Sequence, residues 1–541
     1  MRKNIFLTII CITILFSSIA TSSVISLNLN IAKSNNSFDN NLKVDWEINL
    51  GDDLRDYGSD IVKTTDNCFL AVGNYNEGAK GWIVKLGQSG NVLWEKKYGT
   101  TDANYFEKIM QINEGYLIGG SSDAEDAGTR KFWVVKIYED GSVDWGNEYG
   151  FYNSHDYFLD FTKSNDNGYV LIGKTMEGAD SIYNPLIIKI DENGVEEKRV
   201  VYDRYPNDPT EDIELYDIDL TSDGGYICAG KTQEPYTGDY EFFLVKLDEN
   251  LNEEWNTTFD SGSESDNAYD VVETFDGYVM VGEYYFETGG NPHFGAWIVK
   301  SDIYGSKVWD NKIQGVNNHA SAKFIKKSND GNFLITGEVG QTDSTFHDDL
   351  WVLKIDSFGN EIFSFVYGDK YSDYGSSLVE TNDYGIVVIG TIMTEYEGWT
   401  FDQDMWVLKL SESTNGNKPD KPSGEIRGVT GEEYEYFTKF DHPGLLDIQY
   451  GWDWDNDDIV DEWTVFYPSG QTISISYIWE SDGAYLIKVK ARDANEMESS
   501  WSDPLAISMP KTKLIYNNII FNQIKDRYPA IFIFINRLLD F

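Results

Sequence analysis

Short apolar runs separated by polar turns recur in a fixed order along the chain from Trp46 to Leu410. The clearest run has the form Trp-Val-Val-Lys-Leu. It returns at Trp82–Leu86, Trp133–Ile137, Leu186–Ile190, Phe243–Leu247, Trp297–Ser301, Trp351–Ile355 and Trp406–Leu410, in steps of 51 to 57 residues. A period near fifty residues is one supersecondary unit of about four short strands. Each unit holds its other strands in constant order. Strand a ends in a turn, as in Asp60–Asp66 and Phe158–Asp166, and an Asn-Gly or Gly-Gly pair then leads into strand b, as in Gly168–Gly173 and Gly225–Gly230. Such turn residues supply the positive φ that tight hairpins require. After strand c comes a second hairpin, as at Ser89-Gly90-Asn91, and then strand d, as in Val92–Tyr98.

Seven units of this size predict an all-β protein built on a seven-bladed β-propeller over residues 44–410. Strands a, b and c occur seven times, whereas only six d strands follow a c strand, at Trp94, Trp145, Lys198, Trp255, Trp309 and Phe363. The seventh is Val44–Leu50, around Trp46. It is predicted to fill the outer position of the last blade and so remove an exposed sheet edge.

The Asn-Gly turn, the Gly ending strand b, the Trp-Val-Val-Lys strand and the Gly-Asn-x-x-Trp strand resemble the repeats of secreted archaeal and bacterial β-propellers. More distantly they are similar to quinoprotein-type propellers, whose blades are docked by recurring Trp. The resemblance covers about two thirds of the chain and speaks for fold rather than function. Residues 411–421 read as a polar linker. Beyond it, residues 422–510 resemble a PKD-type, immunoglobulin-like β-sandwich, on the strength of Gly451-Trp452-Asp453-Trp454-Asp455, Ile473–Ile478 and Gly483–Asp493. Alternation of apolar and polar residues across Tyr485–Ala491 independently argues a half-buried strand. Modules of this type imply a spacer or adhesive role on extracellular proteins.

Arg2 and Lys3 precede an uncharged run from Ile5 to Phe16, followed by small residues, so residues 1–23 read as an export signal and 24–43 as a linker. An uncleaved N-terminal anchor is the alternative. Secretion or display at the cell surface follows from either. Cys68 and Cys228 fall in blades far apart around the ring, which predicts no disulfide between them. The formal net charge of −48 is spread along the chain and repels phosphate backbones, so nucleic acid and anionic lipid are poor partners. Residues 511–541 change character, with apolar residues at helix-like spacing interrupted by Asp526, Arg527, Arg537 and Asp540. That tail reads either as a helix on a membrane or partner surface or as a strap packed on the preceding domain.

Two constellations suggest chemistry. Asp453, Asp455, Asp457 and Asp461 alternate along one loop, and carboxylates so placed can converge on Ca²⁺, which takes six to eight oxygens. Asp458 stands where such loops usually carry Gly, and an acidic, solvated hairpin is the alternative. In the propeller, Asp56, Asp156, Asp266 and Asp373 share one position just before strand a, with Asp212 and His319 near it in other blades. They are candidate carboxylates of a channel mouth. Their repetition equally fits local capping of backbone N–H groups, because folding devices repeat where catalytic sites break symmetry. The Lys of strand c recurs in all seven blades, from Lys85 to Lys409, and suggests structural ion pairs or snorkelling stems. No arginine cluster, Ser-His-Asp or Cys-His arrangement emerges. The expectation is therefore a non-catalytic, secreted or cell-surface scaffold presenting propeller loops to a protein or glycan partner. A carbohydrate-active or quinone-dependent enzyme working in the channel is the alternative.

Overall fold

The computed structural model describes residues 42–509 apart from 53–54, 76–79, 100–102, 124–128, 177–182, 203–211, 235–236, 263, 317, 341–346, 383–384, 397–399, 413–417, 443–446 and 495–497. The export signal, nearly all of the segment 24–43 and the tail 511–541 lie outside the described residues. Among the described residues every regular element is a β-strand, and no helix is long and apolar enough to cross a membrane. The chain divides into two compact units between Ser411 and Glu412.

Among its described residues the first unit forms seven four-stranded antiparallel sheets. In sheet 1, Tyr57–Lys63, Phe69–Tyr75, Lys80–Leu86 and Val92–Tyr98 pair in chain order. Sheets 2 to 6 repeat this plan, with first strands Asn104–Ile112, His155–Lys163, Ile213–Leu220, Asp266–Thr274 and Ala320–Lys327. Sheet 7 is the exception. Its strands Tyr374–Glu380, Ile386–Tyr396 and Thr400–Glu412 are completed by Leu42–Leu50 from the start of the unit, two residues longer than the sequence pattern indicates.

Successive sheets are joined by apolar layers, and the order of contact closes on itself. Leu70, Val72 and Ile83 of sheet 1 pack with Phe106, Ile118 and Val135 of sheet 2. Equivalent layers follow for each next pair. The last joins Val387, Ile389 and Val407 of sheet 7 to Ile61, Ala71 and Val84 of sheet 1. These middle strands are buried on both faces, which is why they read as unbroken apolar runs and not as alternating ones. Outer strands alternate, as in Val92–Tyr98.

The outer strands also fix where each sheet meets the next. The glycine of a c–d turn has positive φ and lies directly under the indole of the preceding sheet's outer strand: Gly141 under Trp94, Gly194 under Trp145, Gly305 under Trp255 and Gly359 under Trp309. A Cβ at these positions would meet the ring at about 3 Å or closer, so glycine is required twice over. Trp46 stands over Gly90 in the same way and donates its indole N–H to Gln88 O at 3.0 Å. The N-terminal strand therefore does for sheet 1 what the outer strands carrying Trp94, Trp145, Trp255 and Trp309 do for their neighbours.

The strand c lysines serve their own sheets. Lys85, Lys189, Lys246, Lys300 and Lys354 pair with the a–b turn aspartates Asp66, Asp166, Asp223, Asp276 and Asp330. These pairs hold the Asp66 and Asp166 carboxyls down to about 2. In sheet 2 the turn carries Asn113-Glu114 instead, and Lys136 turns to Asp144 of the outer strand.

Among its described residues the second unit forms two sheets. One pairs Ser423–Gly424, Glu433–Thr438 and Ile473–Ile478, and the other orders Glu462–Trp463, Ile448–Asp453, Gly483–Asp493 and Leu505–Met509. Tyr436 and Ile473 of the first share a core with Tyr450, Trp452, Val489 and Ile507 of the second, a two-layer arrangement.

Candidate functional site

The first strands of the seven sheets each carry a β-bulge at one register, between Gly58 and Asp60 in sheet 1 and between Phe158 and Asp160 in sheet 3, for example. A bulge adds one residue to the strand, so it lets side chains before and after it face the same side. The residues just after the bulge are Asp60, Lys108, Asp160, Asp217, Asp270, Phe324 and Ser377, one per sheet. Six of them border a cavity of about 520 Å³, and Ser377 reaches the same ring by donating to Asp60 Oδ1 at 2.6 Å.

The four aspartates of this ring bridge sheets. Asp60 accepts the Ile109 N–H at 2.9 Å, Asp160 that of Ile218 at 3.1 Å, Asp217 that of Val271 at 3.1 Å and Asp270 that of Ile325 at 2.8 Å. Each donor belongs to the next sheet. Lys108 faces these carboxylates, 3.6 Å from Asp160. Burial opposes its charge, but Asp160, Asp217, Asp270 and Asp60 together outweigh burial and push its pKa up. Burial also raises the Asp217 carboxyl, helped by Asp270 and Asp160, and lifts Asp270 to about 7 against the pull of Lys108.

On the other side of the bulge the lining changes to aromatic. A second cavity, of about 390 Å³, is bordered by Tyr57, Tyr216, Tyr269 and Tyr374 together with Glu107, Lys108 and Lys323. Tyr57 and Tyr374 share one register of the first strand, as do Tyr105 and Tyr157, which clamp the Arg130 guanidinium at 4.7 and 4.9 Å. Tyr216 and Tyr269 are bulged residues whose rings lie 5.6 Å apart. Lys323 sits 4.3 Å from the Tyr269 ring and pairs with Glu283 at 3.6 Å and Glu338 at 3.8 Å. Burial raises the Glu107 carboxyl despite Lys108 and Arg130.

The predicted mouth carboxylates lie elsewhere. Asp56, Asp156, Asp266 and Asp373 are each 0% exposed and border neither cavity. They accept N–H groups of their own turns, from Asp52, Phe151, Ser261 and Asp369 at 2.8 to 3.0 Å. At the repeated position each carboxylate caps backbone N–H groups of its own turn. Asp60, Asp160 and Asp270, which border the cavity, come four residues later than Asp56, Asp156 and Asp266. This second fixed offset was readable in the sequence.

In the second unit, Asp453, Asp455 and Asp461 each bring a carboxylate oxygen within 4.8 Å of the others. Asp453 is fully buried and anchors the loop, accepting N–H groups of Asp455, Asn456 and Asp458 and pairing with Lys488 at 3.3 Å. Asp461 accepts the Trp454 N–H at 2.8 Å. Asp457, the fourth predicted ligand, is outside this group and spends Oδ1 on the Ile459 N–H at 2.9 Å. Asp458 has φ of 66°, so it adopts the left-handed conformation that glycine takes in Ca²⁺ loops. Burial and the charges of Asp457, Asp461 and Asp453 raise the Asp455 carboxyl. Clustered like charges of this kind are relieved by a bound cation.

No family model matches the chain, and no curated protein matches it. Among solved structures, the PKD domain of an M14-like peptidase from Thermoplasmatales archaeon SCGC AB-540-F20 is similar, at 33% identity over 18% of this chain and 99% of that one, with a TM-score of 0.16.

Proposed function

We propose that the seven sheets are the blades of a propeller latched by Leu42–Leu50, that the second unit is a PKD-type sandwich, and that the chain is an exported, non-catalytic binding protein of the cell surface. Support for the propeller comes from the cyclic order of apolar layers and from Trp46, which repeats the role of Trp94, Trp145, Trp255 and Trp309.

The observation that carries the binding reading is the division of the channel at the bulge. Carboxylates that an enzyme would use, Asp160, Asp217 and Asp270, are engaged with backbone N–H groups of neighbouring sheets. The tyrosine-lined mouth instead offers ring faces and polar tips, the side-chain type that recurs at recognition surfaces. Its ligand is a group on an extracellular protein or glycan. Ca²⁺ at Asp453, Asp455 and Asp461 would rigidify the loop of the second unit, with backbone carbonyls and water completing the oxygens.

A glycan-array and pull-down screen with the intact mature chain and with a Tyr216→Ala variant tests this reading. Binding that the variant loses is the expected result. Substrate turnover by the intact chain, or binding indifferent to Tyr216, would overturn it.

A further inference from the structure

We propose that the tyrosine-lined mouth binds an organic ammonium group, held by ring faces and by the Glu107 carboxylate. This rests on the reading of that mouth as the ligand site and names the chemistry it takes.

The charges around the mouth are matched with one exception. Lys323 is paired with Glu283 and Glu338, and Lys108 faces the aspartate ring. Glu107 borders the cavity at the bulged position of sheet 2, yet makes no hydrogen bond or ion pair among the described residues. A carboxyl in a semi-enclosed site, whose charge burial opposes and no hydrogen bond stabilises, favours a cationic occupant.

The rings select the kind of cation. Tyrosine faces carry negative potential and attract ammonium and guanidinium groups within about 6 Å of the ring centre. This protein already uses that interaction on the same surface, with Lys323 over Tyr269 and Arg130 between Tyr105 and Tyr157. Tyr57, Tyr216 and Tyr374 border the cavity with no such cation over them among the described residues. A metal ion would want several converging oxygens, and Glu107 supplies one carboxylate. An organic ammonium, whose alkyl groups rest on the rings while its charge faces Glu107, uses the whole lining. The space, about 390 Å³, is ample for a small amine headgroup, and the net charge of −48 draws cations toward the protein.

Calorimetry on the intact chain tests the assignment with three probes: choline, its uncharged carbon isostere 3,3-dimethylbutan-1-ol, and a neutral oligosaccharide. Choline is expected to bind saturably and the isostere about tenfold more weakly or worse. Glu107→Gln should weaken choline by about tenfold without lowering the melting temperature, and Tyr216→Ala should weaken it as well. Equal binding of choline and isostere, or an unchanged affinity in Glu107→Gln, would overturn the ammonium assignment. Oligosaccharide binding that Tyr216→Ala abolishes, without choline binding, would overturn it too while leaving the mouth as a ligand site. Failure of all three probes would remove both.

Discussion

Asp60, Asp160, Asp217 and Asp270 stand at one register of four sheets, and each accepts a backbone N–H from the sheet that follows. Asp453, Asp455 and Asp461 stand on a single loop of the second unit, where Asp455 and Asp461 are exposed and all three converge. Both groups are carboxylates brought close against their mutual repulsion. In the first group the repulsion is offset by Lys108 and by hydrogen bonds between sheets, so the charge is consumed in holding the scaffold together. In the second, Asp453 is buried and holds the loop, Asp461 accepts one backbone N–H, and the Asp455 and Asp461 carboxylates still face solvent. Repetition marks residues that build the fold.

The comparison breaks most sharply at Lys108. Replacing it with Met leaves the carboxylates of the cavity without their cation, and should cost the first unit about 3 kcal/mol in denaturant unfolding. An unchanged midpoint would mean that the aspartate ring is neutral and indifferent to Lys108. Asp60→Ala removes the acceptor for Ile109 and Ser377 and should cost about 2 kcal/mol, with Asp60→Asn milder because its amide oxygen can still accept. Equal losses in the two variants would show that charge, not bridging, is what Asp60 contributes.

Acidity sharpens the same contrast. Asp270 is lifted to about 7 and Asp217 is also raised, so the folded first unit binds protons that the unfolded chain releases above about pH 4. The stability these groups contribute is full below the unfolded value and is lost as pH rises through the folded one. The thermal midpoint of the first unit should therefore rise as pH falls from about 8 to about 5, and Asp270→Asn should flatten that rise. Below about pH 4 the sign reverses, because Asp66 and Asp166, held near 2 by Lys85 and Lys189, then begin to lose their ion pairs. A midpoint flat across the neutral range would contradict the shared burial of the ring.

The smallest expected effect belongs to the loop. Ca²⁺ at ten times its dissociation constant should stabilise the second unit of the intact chain by about 1.4 kcal/mol. The gain should disappear in Asp455→Asn and Asp461→Asn and persist in Asp457→Asn. Loss of the effect in Asp457→Asn would restore the fourth ligand that the alternating sequence suggested.

Much of the fold was legible because its signals are local and repeated. The Trp-Val-Val-Lys strand, the turn glycines and the missing seventh outer strand led to seven sheets and to the donor of the last one. The site was less legible. Asp56 and its equivalents announced themselves by repetition, but whether a carboxylate points into the cavity or into its own turn depends on a one-residue bulge that no residue type marks. The tyrosines of the mouth were hidden for the same reason. Tyr57 and Tyr374 precede the bulge by two residues, whereas Tyr216 and Tyr269 are the bulged residues, so their shared destination is invisible in linear spacing. Asp457 alternates with its neighbours along the loop and so groups with them in the sequence, but the left-handed residues Asn456 and Asp458 on either side turn it aside.

Closure of the ring by the N-terminal strand is tested most directly by deleting Leu42–Leu50 from the intact chain and following heat and protease resistance of the first unit. Ring closure predicts that the deletion exposes the edge of Thr400–Glu412, uncovers Gly90 and sheet 1, and leaves the unit readily melted and cut. A truncated chain as resistant as the parent would contradict it.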